Sequence, residues 1–157
     1  MLLVGPAQAA DTKATAQRKG SGLPIPRFAT LKSDEVNVRT GPGSRYPIDW
    51  VFTRKGMPVE IVAEYENFRK IRDWQGASGW VYQGLLTGKR SFIIPSKVAN
   101  LYRTPATSAE VVAKLEPEVM GEIRSCQGDW CRVKVSSVSG WLQRTEIWGV
   151  YKSEPVN

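Results

Sequence analysis

The chain has 157 residues, 41% of them hydrophobic and 24% charged, with 22 Lys and Arg against 15 Asp and Glu for a formal net charge of +7. That length holds one medium domain or two small ones, and no apolar run approaches the ~18 residues that would span a bilayer. There is no histidine, the side chain most used as a general base near neutral pH and as a transition-metal ligand, and two cysteines are too few for the usual four-ligand zinc site. These absences argue against an enzyme and against any metal or cofactor. The charge is uneven: residues 1–30 carry four Lys and Arg against one Asp, residues 31–90 ten basic against seven acidic, and residues 91–157 eight against seven. A basic excess of this kind suits nucleic acid, anionic lipid or an anionic wall polymer, and equally a dispersed surface charge that keeps the protein soluble.

At the N-terminus, Ala7-Gln8-Ala9 has the small-x-small form of a signal-peptidase site, and Leu2-Leu3-Val4 reads as the remnant of the apolar core before it. An exported, periplasmic protein with an incomplete signal peptide is expected; the other reading is a flexible Ala-rich terminus. Asp11 to Gly22 is polar, small and basic, the composition of a disordered leader. Leu23-Pro24-Ile25-Pro26 then imposes an extended path and forbids a helix. It reads as a plain linker or, more sharply, as an internal ligand lying in an aromatic groove of the domain that follows.

Beyond the leader come short strands broken by turns. Val36-Asn37-Val38-Arg39 alternates and Thr40-Gly41-Pro42-Gly43 ends it, the two glycines supplying positive φ around a proline-fixed corner. Strands are predicted at Val59 to Val62, Phe68 to Arg72 and Gly79 to Tyr82, with Glu66-Asn67 as a tight turn. The pattern then returns: Val38 and Pro42 recur as Leu101 and Pro105, Glu60-Ile61 as Glu122-Ile123, Phe68-Arg69-Lys70-Ile71 as Trp130-Cys131-Arg132-Val133, and Ser78-Gly79-Trp80-Val81 as Ser139-Gly140-Trp141-Leu142. The offset drifts from 63 to 62 to 61, as single deletions in loops produce. Two copies of one unit of about sixty residues are therefore encoded, each the size of a minimal β-barrel. The resulting division is a leader over 1–27, a first barrel over 28–90 and a second, diverged barrel over 91–157.

Val36-Asn37-Val38-Arg39-Thr40-Gly41-Pro42-Gly43, with a Gly-Trp strand some forty residues later, resembles the signature of bacterial SH3 (SH3b) domains. The string Phe68 to Trp74, then Gly79-Trp80-Val81, then Leu85-Leu86 and Gly88-Lys89-Arg90, is similar to an exported tandem subfamily of Gram-negative bacteria. In the second copy the signature has decayed, Arg39 becoming Tyr102 and Gly41 becoming Thr104. The resemblance implies an all-β fold of two tandem SH3-like barrels and a non-enzymatic module that binds or scaffolds at the cell envelope. Its partner would be peptidoglycan or an envelope protein or peptide, and it does not say which. Nucleic-acid binding and a purely structural, self-associating role are the alternatives. Gly79 and Gly140 are expected where backbones approach closely, with Trp80 and Trp141 lying across the barrel.

Cys126 and Cys131 flank Gln127-Gly128-Asp129-Trp130, and a two-residue turn at Gly128-Asp129 sets them opposite one another in a non-hydrogen-bonded pair. That spacing accommodates a disulfide, free thiols being the alternative. The repeat puts Glu64 and Arg69 at the same two positions of the first barrel, where an ion pair is predicted in place of the covalent staple. For a ligand surface the candidates are Tyr46, Trp50 and Trp74, with Arg45, Arg54, Lys70 and Arg72 near them favouring an anionic partner. Core packing for the aromatics and a solvated strand face for the cations are the competing readings.

Overall fold

The structure, a computed structural model, describes residues 20–157. The residues read above as a signal-peptide remnant, and most of those read as a polar leader, lie outside the described residues. Strands β1 (Arg27–Leu31), β2 (Val36–Arg39), β3 (Ile48–Phe52), β4 (Pro58–Tyr65), β5 (Phe68–Arg72), β6 (Ser78–Tyr82) and β7 (Leu86–Thr87) form one antiparallel sheet in the order β3-β2-β6-β5-β4-β1-β7. Strands β8 (Ser91–Ile93), β9 (Ala99–Tyr102), β10 (Val111–Leu115), β11 (Met120–Gln127), β12 (Trp130–Val135) and β13 (Val138–Gln143) form the second, in the order β10-β9-β13-β12-β11-β8. One motif is thus used twice, and each copy bends its long strand at an equivalent bulge, between Ile61 and Ala63 and between Ile123 and Ser125. A bulge sharpens the local twist and lets a small sheet curl over its own core. No helix among the described residues is long and apolar enough to cross a membrane.

Alternation decides what lies inside. Val36 and Val38 of β2, Val59 and Ile61 of β4, Ile71 of β5 and Val81 of β6 are sealed in the first core; Ala99, Leu101, Ile123, Val133 and Leu142 occupy the matching places of Val36, Val38, Ile61, Ile71 and Val81 in the second, where Cys126 and Cys131 are buried as well. Gly79 and Gly140 are buried between these rows. A Cβ on Gly79 would come within 2.4 Å of Val38, and one on Gly140 within 2.8 Å of the Tyr102 carbonyl oxygen, so the close approach expected from sequence is real. The neighbouring tryptophans do not lie across the barrel. Facing away from Gly79 and Val81, Trp80 belongs to neither apolar core and is half-buried on the outer surface, as is Trp141.

The open end of each barrel is closed by chain from outside the repeat. In the second barrel Cys126 pairs with Cys131 at a Cα separation of 4.1 Å and is disulfide-bonded to it. The backbone of Cys126 turns outward to exchange both hydrogen bonds with Val156 of the tail, which leaves the cysteine pair non-hydrogen-bonded as the turn requires. Arg144 ties the same tail down by donating to the carbonyls of Tyr151 and Glu154. In the first barrel Glu64 and Arg69 hold the cysteine positions, with Arg69 Nε 3.4 Å from Glu64 Oε1. The pair is not exposed: the two side chains are 6% and 2% accessible. The leader completes it, Ser21 donating to Glu64 through its backbone N–H (2.7 Å) and hydroxyl (2.6 Å), and Arg27 through Nη1 at 2.7 Å. The leader therefore follows the β4–β5 end of the barrel rather than the surface of Tyr46, Trp50 and Trp74. Burial alone would push the Glu64 carboxyl up, but the bonds from Ser21 and Arg27 outweigh it and hold the group below its ordinary range.

A short link, residues 88–90, joins the sheets, and a continuous seam binds them. Phe28 lies between the rings of Trp148 (centroids 4.9 Å apart, edge-on) and Tyr151 (4.5 Å), with the Arg90 guanidinium 5.7 Å from its centroid. Thr30 and Ser91 share a buried hydroxyl bond of 2.6 Å, and Arg54 donates to the Glu118 carbonyl oxygen at 2.9 Å. Tyr151 donates its phenol to the buried Glu60 carboxylate at 2.7 Å, which Arg72 grips from the first barrel. Burial and that carboxylate push the Tyr151 phenol well above its usual range. Met120 of β11 packs on the first barrel's core.

Three outcomes follow. Phe28→Ala costs about 3–5 kcal/mol as a large buried truncation, and calorimetry, in which the seam predicts one unfolding transition for the wild type, shows two for the variant. Acid unfolding tests the Glu64 clasp: a depressed carboxyl stabilises above its ordinary value of 4.5, and the stabilisation is lost as pH falls through the lower folded value. Glu64→Gln must then flatten the acid limb of thermal stability against pH; parallel curves would refute the assignment. Reductant, or the double change of Cys126 and Cys131 to Ser, lowers stability by about 2 kcal/mol, since the closed loop is short.

Candidate functional site

Strand parity builds a second face on the first barrel, directed away from the core. With Arg69 and Ile71 inward, Phe68 and Lys70 of β5 point outward, and so do Trp80 and Tyr82 of β6. The register sets Phe68 opposite Tyr82 and aligns Lys70, Trp80 and Arg39 in one row across β5, β6 and β2. Phe68 and Tyr82 meet edge to face at 6.0 Å, and Tyr82 and the nearby Tyr65 are 50% and 55% exposed. Between this face and the loop after β2 runs a groove of about 320 Å³, lined by Asn37, Arg39, Ser44, Asn67, Phe68, Tyr82 and Leu85.

The loop is held in place by Arg39, whose Nη1 donates to the carbonyls of Ser44 (3.1 Å) and Tyr46 (2.9 Å). Tyr46 folds back over Gly41, where a Cβ would fall 2.4 Å from the ring. Close approach is thus the reason for that glycine. The positive φ expected at Gly41 and Gly43 is not found; among the described residues the glycines with positive φ are Gly22, Gly56, Gly76, Gly128 and Gly149. Arg45 stands over the Tyr46 ring at 5.2 Å from its centroid.

The structure divides the residues singled out from sequence. Trp50 and Trp74 pack against the first barrel's core. Arg54 is spent on the Glu118 carbonyl at the seam, and Arg72 on Glu60. Arg45 and Tyr46 remain on the loop beside the groove, and Lys70 on the outer face. Sequence reasoning passed over Arg39, Phe68 and Tyr82 as site residues, although their parity against Val38, Arg69 and Val81 marks them as outward.

The second barrel carries a related but altered face. Trp130, Arg132 and Trp141 stand where Phe68, Lys70 and Trp80 do, and Tyr102, in place of Arg39, meets Trp130 edge to face at 5.6 Å. Where that arginine is absent, the exposed Arg103 bonds the Glu110 carboxylate across the following loop at 2.8 Å. Glu146 replaces Leu85; burial raises its carboxyl, and its Oε2 has no partner among the described residues.

A small barrel of this strand order, repeated once along the chain, is of the SH3-like class. The family model described as bacterial SH3 domain matches residues 32–88 and again 96–149, and the chain belongs to that family. Among curated proteins it is similar to the putative N-acetylmuramoyl-L-alanine amidase YrvJ of Bacillus subtilis (strain 168), 26% identical over 125 residues that make up 73% of this chain and 24% of the relative. Among solved structures, NlpC2 from Trichomonas vaginalis aligns over 80% of this chain and 49% of its own at 12% identity (TM-score 0.37). An NlpC/P60 family protein from Bacillus cereus ATCC 10987 aligns over 80% and 57% at 15% identity (TM-score 0.35). The chain thus spans about a quarter of the curated relative and about half of these structures.

Proposed function

We propose that the chain is a non-enzymatic binding module of the cell envelope, which holds a wall component or an extended peptide on the outer face of its first barrel. The observation that carries this reading is the groove of about 320 Å³ where Phe68 and Tyr82 offer flat apolar walls and Arg39, Asn37 and Asn67 offer donors and acceptors. Exposed aromatics bury area at little entropic cost, and the polar groups fix orientation. Membership of the bacterial SH3 family and similarity to a protein named as a putative N-acetylmuramoyl-L-alanine amidase support a place at the envelope. The disulfide supports export, since such bonds persist in oxidising compartments. The lack of histidine supports a role without catalysis.

Cosedimentation with purified sacculi, run beside a DNA gel shift at physiological salt, tests the reading. Wild type pellets with sacculi, and Tyr82→Ala or Lys70→Ala weakens retention about tenfold, the ~1.4 kcal/mol of one good contact. Retention that neither substitution changes would remove the outer face from the reading. A salt-dependent DNA shift without retention would replace it with nucleic-acid binding.

A further inference from the structure

A larger cleft, about 660 Å³, lies where the leader, the first barrel and the tail of the second meet. It shares none of Arg39, Phe68 and Tyr82 with the outer-face groove, and a single barrel could not form it, since Leu23 and Pro24 come from the leader and Tyr151 and Glu154 from the tail. Its size falls within the ~300–1,000 Å³ usual for small-ligand sites, which gather at domain interfaces. Its apolar lining is offered by Leu86 and by Leu23, Pro24 and Pro26 of the leader, above the buried Phe28, and Gln83 and Thr87 add polar groups to the wall.

The charges are not balanced. Arg27, Arg69 and Arg90 line the cleft, against the carboxylates of Glu154 in the lining and Glu64 buried beside it. Arg69 is fully engaged, by Glu64, by the carbonyls of Glu66 and Phe68, and by Gln83. Arg90 spends both Nη atoms on Glu154, and its buried Nε has no partner among the described residues. Arg27 bonds Glu64 and the Pro24 carbonyl through Nη1 alone, so Nε and Nη2 are unengaged among the described residues. One guanidinium edge and one net positive charge remain beside an apolar lining. That combination suits a monoanion with apolar substituents, and a guanidinium edge matches a carboxylate in planar geometry.

We propose that this cleft is a second ligand site, which takes a short extended peptide with a free carboxylate. The carboxylate pairs with Arg27, apolar side chains lie on Leu86, Pro24 and Pro26, and the Thr87 hydroxyl serves the peptide's amides. The proposal does not depend on the outer face.

Titration calorimetry on the full chain tests it with an N-acetylated, leucine-containing tetrapeptide bearing a free C-terminus, and with the same peptide as its C-terminal amide. The acid binds and the amide binds at least about tenfold more weakly. Arg27→Gln removes that preference. Because Arg27 also clasps Glu64, a second variant is needed: a Cβ on Gly88, a lining residue, meets nothing within 4 Å, so Gly88→Trp plugs the cleft with an unchanged unfolding temperature and abolishes peptide binding while sacculus retention persists. Equal binding of acid and amide, wild-type affinity in Gly88→Trp, or no binding of the acid by about 1 mM overturns the proposal.

Discussion

A barrel of about sixty residues has too much surface for its volume, and the architecture of this chain answers to that constraint. Neither sheet closes on its own residues. The first barrel borrows Ser21 from the leader to satisfy Glu64, the second borrows Val156 from the tail to pair the edge beside its disulfide, and the two share the aromatic seam around Phe28. Each loan adds buried area and satisfied hydrogen bonds that a lone copy lacks. The same loans create the cleft, because segments recruited to close barrel ends and to bridge the copies leave a concavity where they meet.

Much of the fold was legible because it rests on local rules. The strands at Val36 to Arg39 and Phe68 to Arg72, the turns at Glu66-Asn67 and Gly128-Asp129, and the opposition of Cys126 to Cys131 all follow from period-two alternation and turn chemistry. The Glu64–Arg69 pair followed from the repeat, but its burial did not. That depends on Ser21 and Arg27, residues distant in sequence and without a periodic signal.

The candidate site was less legible, for a physical reason. An aromatic residue in a small β domain serves core or surface equally well, and only its parity against known inward neighbours separates the two. Trp50 shares its cross-strand position with the buried Val38 and so faces the core, whereas Tyr82, adjacent to the buried Val81, faces out. Basic residues mislead in the same way. Arg54 and Arg72 look free in the sequence, yet Arg54 reaches the Glu118 carbonyl through tertiary packing, and the register shift at the bulge between Ile61 and Ala63 sets Arg72 opposite Glu60.

The end of the β4–β5 hairpin and its counterpart between β11 and β12 hold one interchangeable fastening. Two facing positions whose backbones leave each other unbonded accept either a sulfur bridge or a carboxylate with a guanidinium, as Cys126–Cys131 and Glu64–Arg69 demonstrate within a single molecule. A duplicated domain can therefore exchange a fastening made by an oxidant for one made by charge in one copy while the other retains its original, with no change in strand register. Cysteine content is then a poor guide to kinship among such barrels, and the spacing of the two facing positions across the turn is the better one.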